Sequence, residues 1–133
     1  MQLFLRRGRV HRQRRAGRDG LLPLRVVSAG PVNAFTLWKP EAVQVTRGAD
    51  NIGTYNKTLQ SFRKWCKTCG GHIFTEHPGM GLIDVYAALI PGFAYSPGVH
   101  VHYQESVLRI KDGLPKLKDV PKALGGSGIS MDE

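Results

Sequence analysis

The sequence predicts a mainly β fold in one small domain. Three observations predict it. From Ser28 onward, short apolar and aromatic runs alternate with clusters of Gly, Pro and Asn, which is how short strands and their turns read. No stretch repeats its apolar residues at spacings of three and four over a dozen positions, as an amphipathic helix requires. A chain of 133 residues has material for one hydrophobic core and not for two. The hydrophobic share of 41% fits a soluble globular protein, and no run nears the roughly 18 apolar residues of a membrane span.

The first 27 residues stand apart. They hold eight arginines (Arg6, Arg7, Arg9, Arg12, Arg14, Arg15, Arg18, Arg25) against Asp19 alone, a net +7, whereas the other 106 residues carry eleven Lys or Arg against nine acids, a net +2. The overall charge of +9 therefore belongs to an atypical Arg-rich segment. A basic arm is one reading of it and a transit peptide another, but Ser is absent before Ser28, and transit peptides are Ser-rich. A secretory signal is expected still less, because Leu21-Leu22-Pro23-Leu24 is short and broken by proline. A cytoplasmic protein is expected.

In the body, strands are expected at 34–38, 42–47, 60–65, 72–76, 83–88 and 99–103. Pro31-Val32-Asn33 leads into the first, Lys39-Pro40 divides the first two, and residues 48–53 tolerate turn geometry. From Lys111 the chain should run extended, its φ angles fixed by Pro115 and Pro121, without forming an element of its own. Residues 125–133 lack apolar mass and should be a flexible tail. The domain proper is then 28–124.

The two cysteines are Cys66 and Cys69, in Trp65-Cys66-Lys67-Thr68-Cys69-Gly70-Gly71. Sulfurs three residues apart can face one metal ion, and the glycines let the chain turn tightly around it. Cys66 and Cys69 are thus candidate zinc ligands, half of a tetrahedral set. A redox pair is a second reading, although such pairs sit in βαβ settings and this one lies between expected strands. A plain pair of thiols is the third. Among possible partners, His72 follows too closely to reach round, His77 ends the next strand, and His100 and His102 share a face if 99–103 is a strand. Such a pair is more often solvated than ligating. Glu76, Asp84 and Glu105 read as solvated or turn-stabilising, and Tyr55, Lys57 and Arg63 as scattered surface residues; no catalytic residue is assigned.

Residues 30–38 (GPVNAFTLW), 63–75 (RKWCKTCGGHIFT) and 112–119 (DGLPKLKD), in that order, resemble the glutathione-dependent formaldehyde-activating enzymes and the related centromere protein V domain. The resemblance spans residues 28–122, and Cys-x-x-Cys-Gly after an aromatic strand is its most specific mark. It implies an Mss4-like β-tent of antiparallel sheets around a zinc site. It implies carbon–sulfur lyase chemistry on small thiol adducts, such as forming S-hydroxymethylglutathione with glutathione as co-substrate. Members carry an amino-terminal Cys-x-Cys that closes a structural zinc site with the later pair, matched here by Cys66 and Cys69, and a Cys-x-Cys-x-x-Cys for the catalytic zinc. Neither amino-terminal cluster exists in this chain, so the implied activity is expected to be impaired. A non-catalytic zinc-binding or nucleic-acid-associated module is the alternative, with nucleic acid disfavoured by the balanced body.

A shifted reading frame would account for the gap, with a real basic arm as the other reading of residues 1–27. Permitted codons for Gln2 to Val10, read one base later, give Ser-Cys-Ser-Cys-Gly; the same treatment of Gly20 to Val27 gives Cys-His-Cys-Glu-Ser and the opening of a further Cys. One shift thus restores both clusters, and the Arg-rich segment reads as its by-product.

Overall fold

The structure, a computed structural model, describes the backbone of residues 2–5, 8–11, 20–22 and 32–133, and the side chains of 32–133 apart from Lys57. The side chains of the Arg-rich segment, and with them the expectation of a shifted frame there, lie outside the described residues. Eleven strands are present among the described residues: β1 (Gln2–Leu5), β2 (Gly8–His11), β3 (Gly20–Leu22), β4 (Asn33–Trp38), β5 (Gln44–Val45), β6 (Ile52–Thr58), β7 (Ser61–Cys66), β8 (His72–His77), β9 (Leu82–Tyr86), β10 (Lys116–Leu117) and β11 (Ser130–Met131). The described helical elements are 3-10 turns of three residues each. The fold is therefore mainly β with antiparallel pairing, and no described helix is long and apolar enough to cross a membrane.

The chain divides into two compact units, residues 1–17 with 36–94 and residues 18–35 with 95–133. In the first, β9, β8, β7 and β6 follow one another in an antiparallel sheet, with the end of β4 beside β9. Its register aligns Tyr55 with Arg63, Arg63 with Thr75, and Thr75 with Asp84. At the centres of β8 and β9 both faces are covered, three consecutive residues of each being buried. Trp38, Ala42, Cys66, Ile73, Phe74, Ile83, Val85 and Ile90 form the core of this unit. Two buried polar groups of β4, on Thr36 and Trp38, are satisfied within it. Thr36 Oγ1 donates to the Val85 carbonyl at 2.9 Å and accepts the Trp38 indole N–H at 2.6 Å. A smaller sheet joins β1, β2 and β5.

In the second unit β3 pairs with the start of β4, and β10 pairs with β11. His100 bridges Lys116 in parallel, its N–H donating to the Pro115 carbonyl and its carbonyl accepting the Leu117 N–H, both at 2.8 Å. Phe35, Val101 and Tyr103 supply buried apolar mass. The Tyr103 hydroxyl accepts the Ile110 N–H at 2.9 Å. Residues 119–128 close on themselves: Ser127 Oγ donates to Asp119 at 2.7 Å, and a β-carbon at Gly126 would collide with the Val120 carbonyl.

Several expectations are corrected. Residues 99–103 are not a strand, because His102 takes a left-handed backbone (φ 54°) and residues 103–105 coil into a 3-10 turn; His100 and His102 do not form a same-face pair. The expected strand 42–47 shrinks to β5, since Pro40 starts a 3-10 turn that runs to Ala42. Residues 83–88 end as a strand at Tyr86, where another such turn begins. The extended segment after Lys111 contributes β10, and β6 begins inside the 48–53 stretch expected to turn and runs on where no strand is expected. Residues 125–133 lack apolar mass, as the sequence indicates, yet polar anchors engage them. Ser130 and Met131 pair with β10, and the Glu133 carboxylate accepts the N–H groups of Asp112 and Gly113 at 3.2 and 2.8 Å.

Candidate functional sites

The cysteine pair sits in the turn between β7 and β8. Cys66 ends β7 and is buried, Cys69 is exposed, and both are free thiols. The turn is closed at its base by Cys66 N–H to the Gly71 carbonyl at 2.9 Å and Gly70 N–H to the Cys66 carbonyl at 2.7 Å. Gly70 has φ +73°, a left-handed geometry that side chains disfavour. The N–H groups of Cys69 and Thr68 point at the Cys66 sulfur and pull its thiol pKa below the ordinary value, against the opposing effect of burial. Asn51 buttresses the turn from the loop before β6. Its Nδ2 lies 3.5 Å from Cys66 Sγ and 3.0 Å from Thr68 Oγ1, and its carbonyl accepts the Lys67 N–H at 2.9 Å. Donors aimed at a sulfur favour thiolate, the form that binds metal or reacts.

The closed zinc site implied by the resemblance needs four donors. Among the described residues no group of three or more His, Cys, Asp or Glu is placed to hold a metal ion, so the residues present fit one half of such a site and not the whole. His72 and His77 do not join the cysteines in a metal-holding group; they converge on Asp84.

That convergence was not legible in the sequence. Asp84, on β9, is buried, contrary to the expectation that it is solvated. His77 Nε2 lies 2.8 Å from Asp84 Oδ2, and His72 Nε2 lies 3.9 Å from Oδ1. Burial alone would raise the Asp84 pKa, but His72 and His77 more than offset it and the net shift is downward. Tyr86, two residues along the same strand, stacks at a tilt against His72 with ring centroids 4.5 Å apart. Its hydroxyl is pushed up to about 12 by burial first and by the Asp84 charge second, with Arg63 opposing. Asp84 Oδ1 and the Tyr86 hydroxyl are both buried without a hydrogen bond among the described residues. Glu76 is solvated as expected and pairs with Lys64 at 3.3 Å. Tyr55 is exposed.

His77 also borders a cleft of about 270 Å³ lined by Pro40, Phe62, Glu76, Pro78, Gly81, Leu82 and Ile83. The cleft lies where the ends of β7, β8 and β9 meet the turns at Pro40 and Pro78, so its walls are mostly apolar.

In the second unit His100 and Lys116 are fully buried and meet the carboxylates of Asp112 and Glu133. Lys116 Nζ is 2.5 Å from Asp112 and 2.6 Å from Glu133, and His100 Nε2 is 2.7 Å from Asp112. Desolvation opposes the charges on Asp112 and Lys116, but their mutual bonds prevail. Asp112 is held well below the usual carboxylate range and Lys116 is raised above its ordinary value. Glu133 also lines an open cleft of about 500 Å³ with Arg109, Ser130, Met131 and Asp132, while the buried His100 and Lys116 tie separate stretches of chain together.

No family model and no curated protein matches the chain. Among solved structures, a Rhodobacter sphaeroides protein determined by a structural-genomics programme is similar, with a TM-score of 0.51 and 17% identity over 68% of this chain and 90% of that one. At that identity the likeness shows a shared fold alone.

Proposed function

We propose that this chain is a zinc domain of the formaldehyde-activating type reduced to one half of its structural metal site. Cys66 and Cys69 are the retained half, and carbon–sulfur chemistry on glutathione-type thiol adducts is impaired because the chain has no further cysteines for a catalytic zinc. The observation that carries the reading is the sulfur turn itself. The N–H groups of Thr68 and Cys69 stabilise thiolate at Cys66, while Gly70 sets the left-handed bend. A plain pair of thiols has no need of that arrangement, and the flanking strands are not the βαβ setting of a redox pair. The reading places the protein in the cytoplasm, where thiols stay reduced.

A complete thiolate set binds structural zinc with on the order of 10 kcal/mol of apparent energy, comparable with the whole stability of a small domain. Half a set holds far less, so the fold must rest on its own core. Titration with cobalt(II), followed by thiolate-to-metal absorption, tests this. Weak binding that disappears in Cys66→Ser is expected, with no acceleration of S-hydroxymethylglutathione formation from glutathione and formaldehyde. Absence of any cysteine-dependent band would reduce Cys66 and Cys69 to plain thiols. One zinc per chain retained through dialysis would show that other donors complete the site.

A further inference from the structure

We propose that the turn carrying Cys66 and Cys69 is a site for monovalent copper, held between the two sulfurs alone, and not for zinc. This rests on Cys66 and Cys69 being retained metal ligands, and differs in the ion they hold.

The number of donors decides between the ions. Structural zinc takes four ligands in a tetrahedron. The chain has only these two cysteines, and the histidines that follow them are turned elsewhere, His72 and His77 meeting Asp84 at 3.9 and 2.8 Å. Among the described residues no further His, Cys, Asp or Glu joins the sulfurs in a metal-holding group. Two thiolates leave a zinc ion half coordinated, with water at its other positions. Monovalent copper is a soft ion for which thiolate is the selective donor, and two sulfurs on opposite sides of it complete its coordination.

The turn already brings the sulfurs together. The Cys69 thiol hydrogen-bonds to the Cys66 sulfur, as do the N–H groups of Thr68 and Cys69. An ion that takes the place of that shared proton keeps both side chains on the same side of the turn. Two S–H bonds break, two copper–sulfur bonds form and two protons pass to solvent; the copper enters monovalent, so no electron moves. Two thiolates around one such ion retain a single negative charge. The N–H groups facing Cys66 and Asn51 Nδ2, 3.5 Å from its sulfur, are placed to accept that charge. The frame is pinned from outside, Lys67 Nζ donating to the Asp50 carbonyl and Lys67 N–H to the Asn51 carbonyl, both at 2.9 Å. The ion enters from the side of Cys69, which is exposed. Gly71 keeps that side open, since a β-carbon there would stand 3.4 Å from the Cys69 sulfur.

The test is titration of the reduced full chain with copper(I), under nitrogen, in competition with the chelator bicinchoninate. One copper(I) per chain is expected, retained against equimolar zinc, with an X-ray absorption spectrum showing two sulfur neighbours and no nitrogen or oxygen. Cys66→Ser and Cys69→Ser should each release copper(I) to the chelator. Displacement of copper(I) by equimolar zinc would overturn the proposal, as would nitrogen or oxygen neighbours in the spectrum or full retention in both serine variants. A weak cysteine-dependent cobalt(II) band without copper(I) uptake would sink this inference alone, whereas binding of neither ion would take the half-site reading with it. The zinc competition and the spectrum are read on the intact chain, so they decide the matter even if a serine variant fails to fold.

Discussion

Each unit of the molecule joins carboxylates to basic side chains, and the two do so inside out. In the first, the acid is interior: the Asp84 side chain is 7% exposed, while its partners His72 and His77 are 17% and 22% exposed. In the second, the bases are interior: His100 and Lys116 are at 0%, and Asp112 and Glu133 reach solvent at 30% and 35%. The consequence is a division of labour. A buried carboxylate with imidazoles at the rim orients groups that a ligand can touch. A buried ammonium reached from outside by two carboxylates has nothing left to offer a ligand, and holds separate stretches of chain together.

The largest expected effect follows from removing the exposed acid. Asp112→Ala leaves Lys116 and His100 interior and undercompensated, and should cost about 3 kcal/mol or more in urea unfolding. Asp84→Ala should cost less, on the order of 1–2 kcal/mol, because histidines at the rim can turn to water. Equal losses would erase the distinction between the units. Lys116→Met should also be milder than Asp112→Ala, since the carboxylates it strands already meet solvent.

Stability against pH sharpens the contrast next. Asp84 and Asp112 both have folded pKa values below the unfolded value of about 3.9. Their contributions are full above that pH and fade as it falls through the folded values. Lys116 is shifted the other way, above its unfolded value of about 10.4. Its contribution is complete below that pH and is lost as pH rises through the folded value. Lys116→Met should therefore flatten the alkaline limb of the stability curve, while Asp84→Asn should flatten the acid limb; an unchanged alkaline limb in Lys116→Met would argue against a buried ammonium. The smallest effect is spectroscopic. Phenolate absorbance should show one tyrosine ionising near pH 12, the value to which Tyr86 is raised, and Tyr86→Phe should remove it.

The mainly β character and the strands that became β4, β7, β8 and β9 were legible because each carries aromatic or β-branched residues bounded by turn formers. β6 was not, because Thr54, Tyr55 and Asn56 lie on an outer strand of its sheet, where little apolar alternation is required. The run His100-Val101-His102-Tyr103 alternates as a strand would, but a left-handed His102 breaks it while the buried His100 holds Asp112. Local pattern carries no record of that distant partner. The same reason separates the two candidate sites. Cys66 and Cys69 are neighbours in sequence and announce themselves. Asp84 meets His77 through the pairing of β8 with β9, seven residues away along the chain, and nothing in the spacing marks them.

The run Gly125-Gly126-Ser127-Gly128 has the composition of a spacer, and a protein engineer seeking a fusion junction would turn to it first. The choice would be a poor one. Residue 126 has no room for a methyl group against Val120, and its neighbour is gripped by Asp119, so cargo spliced there would force open a closed loop. Peptide inserts are better accepted at Leu59, a residue 84% exposed in the short connection between β6 and β7.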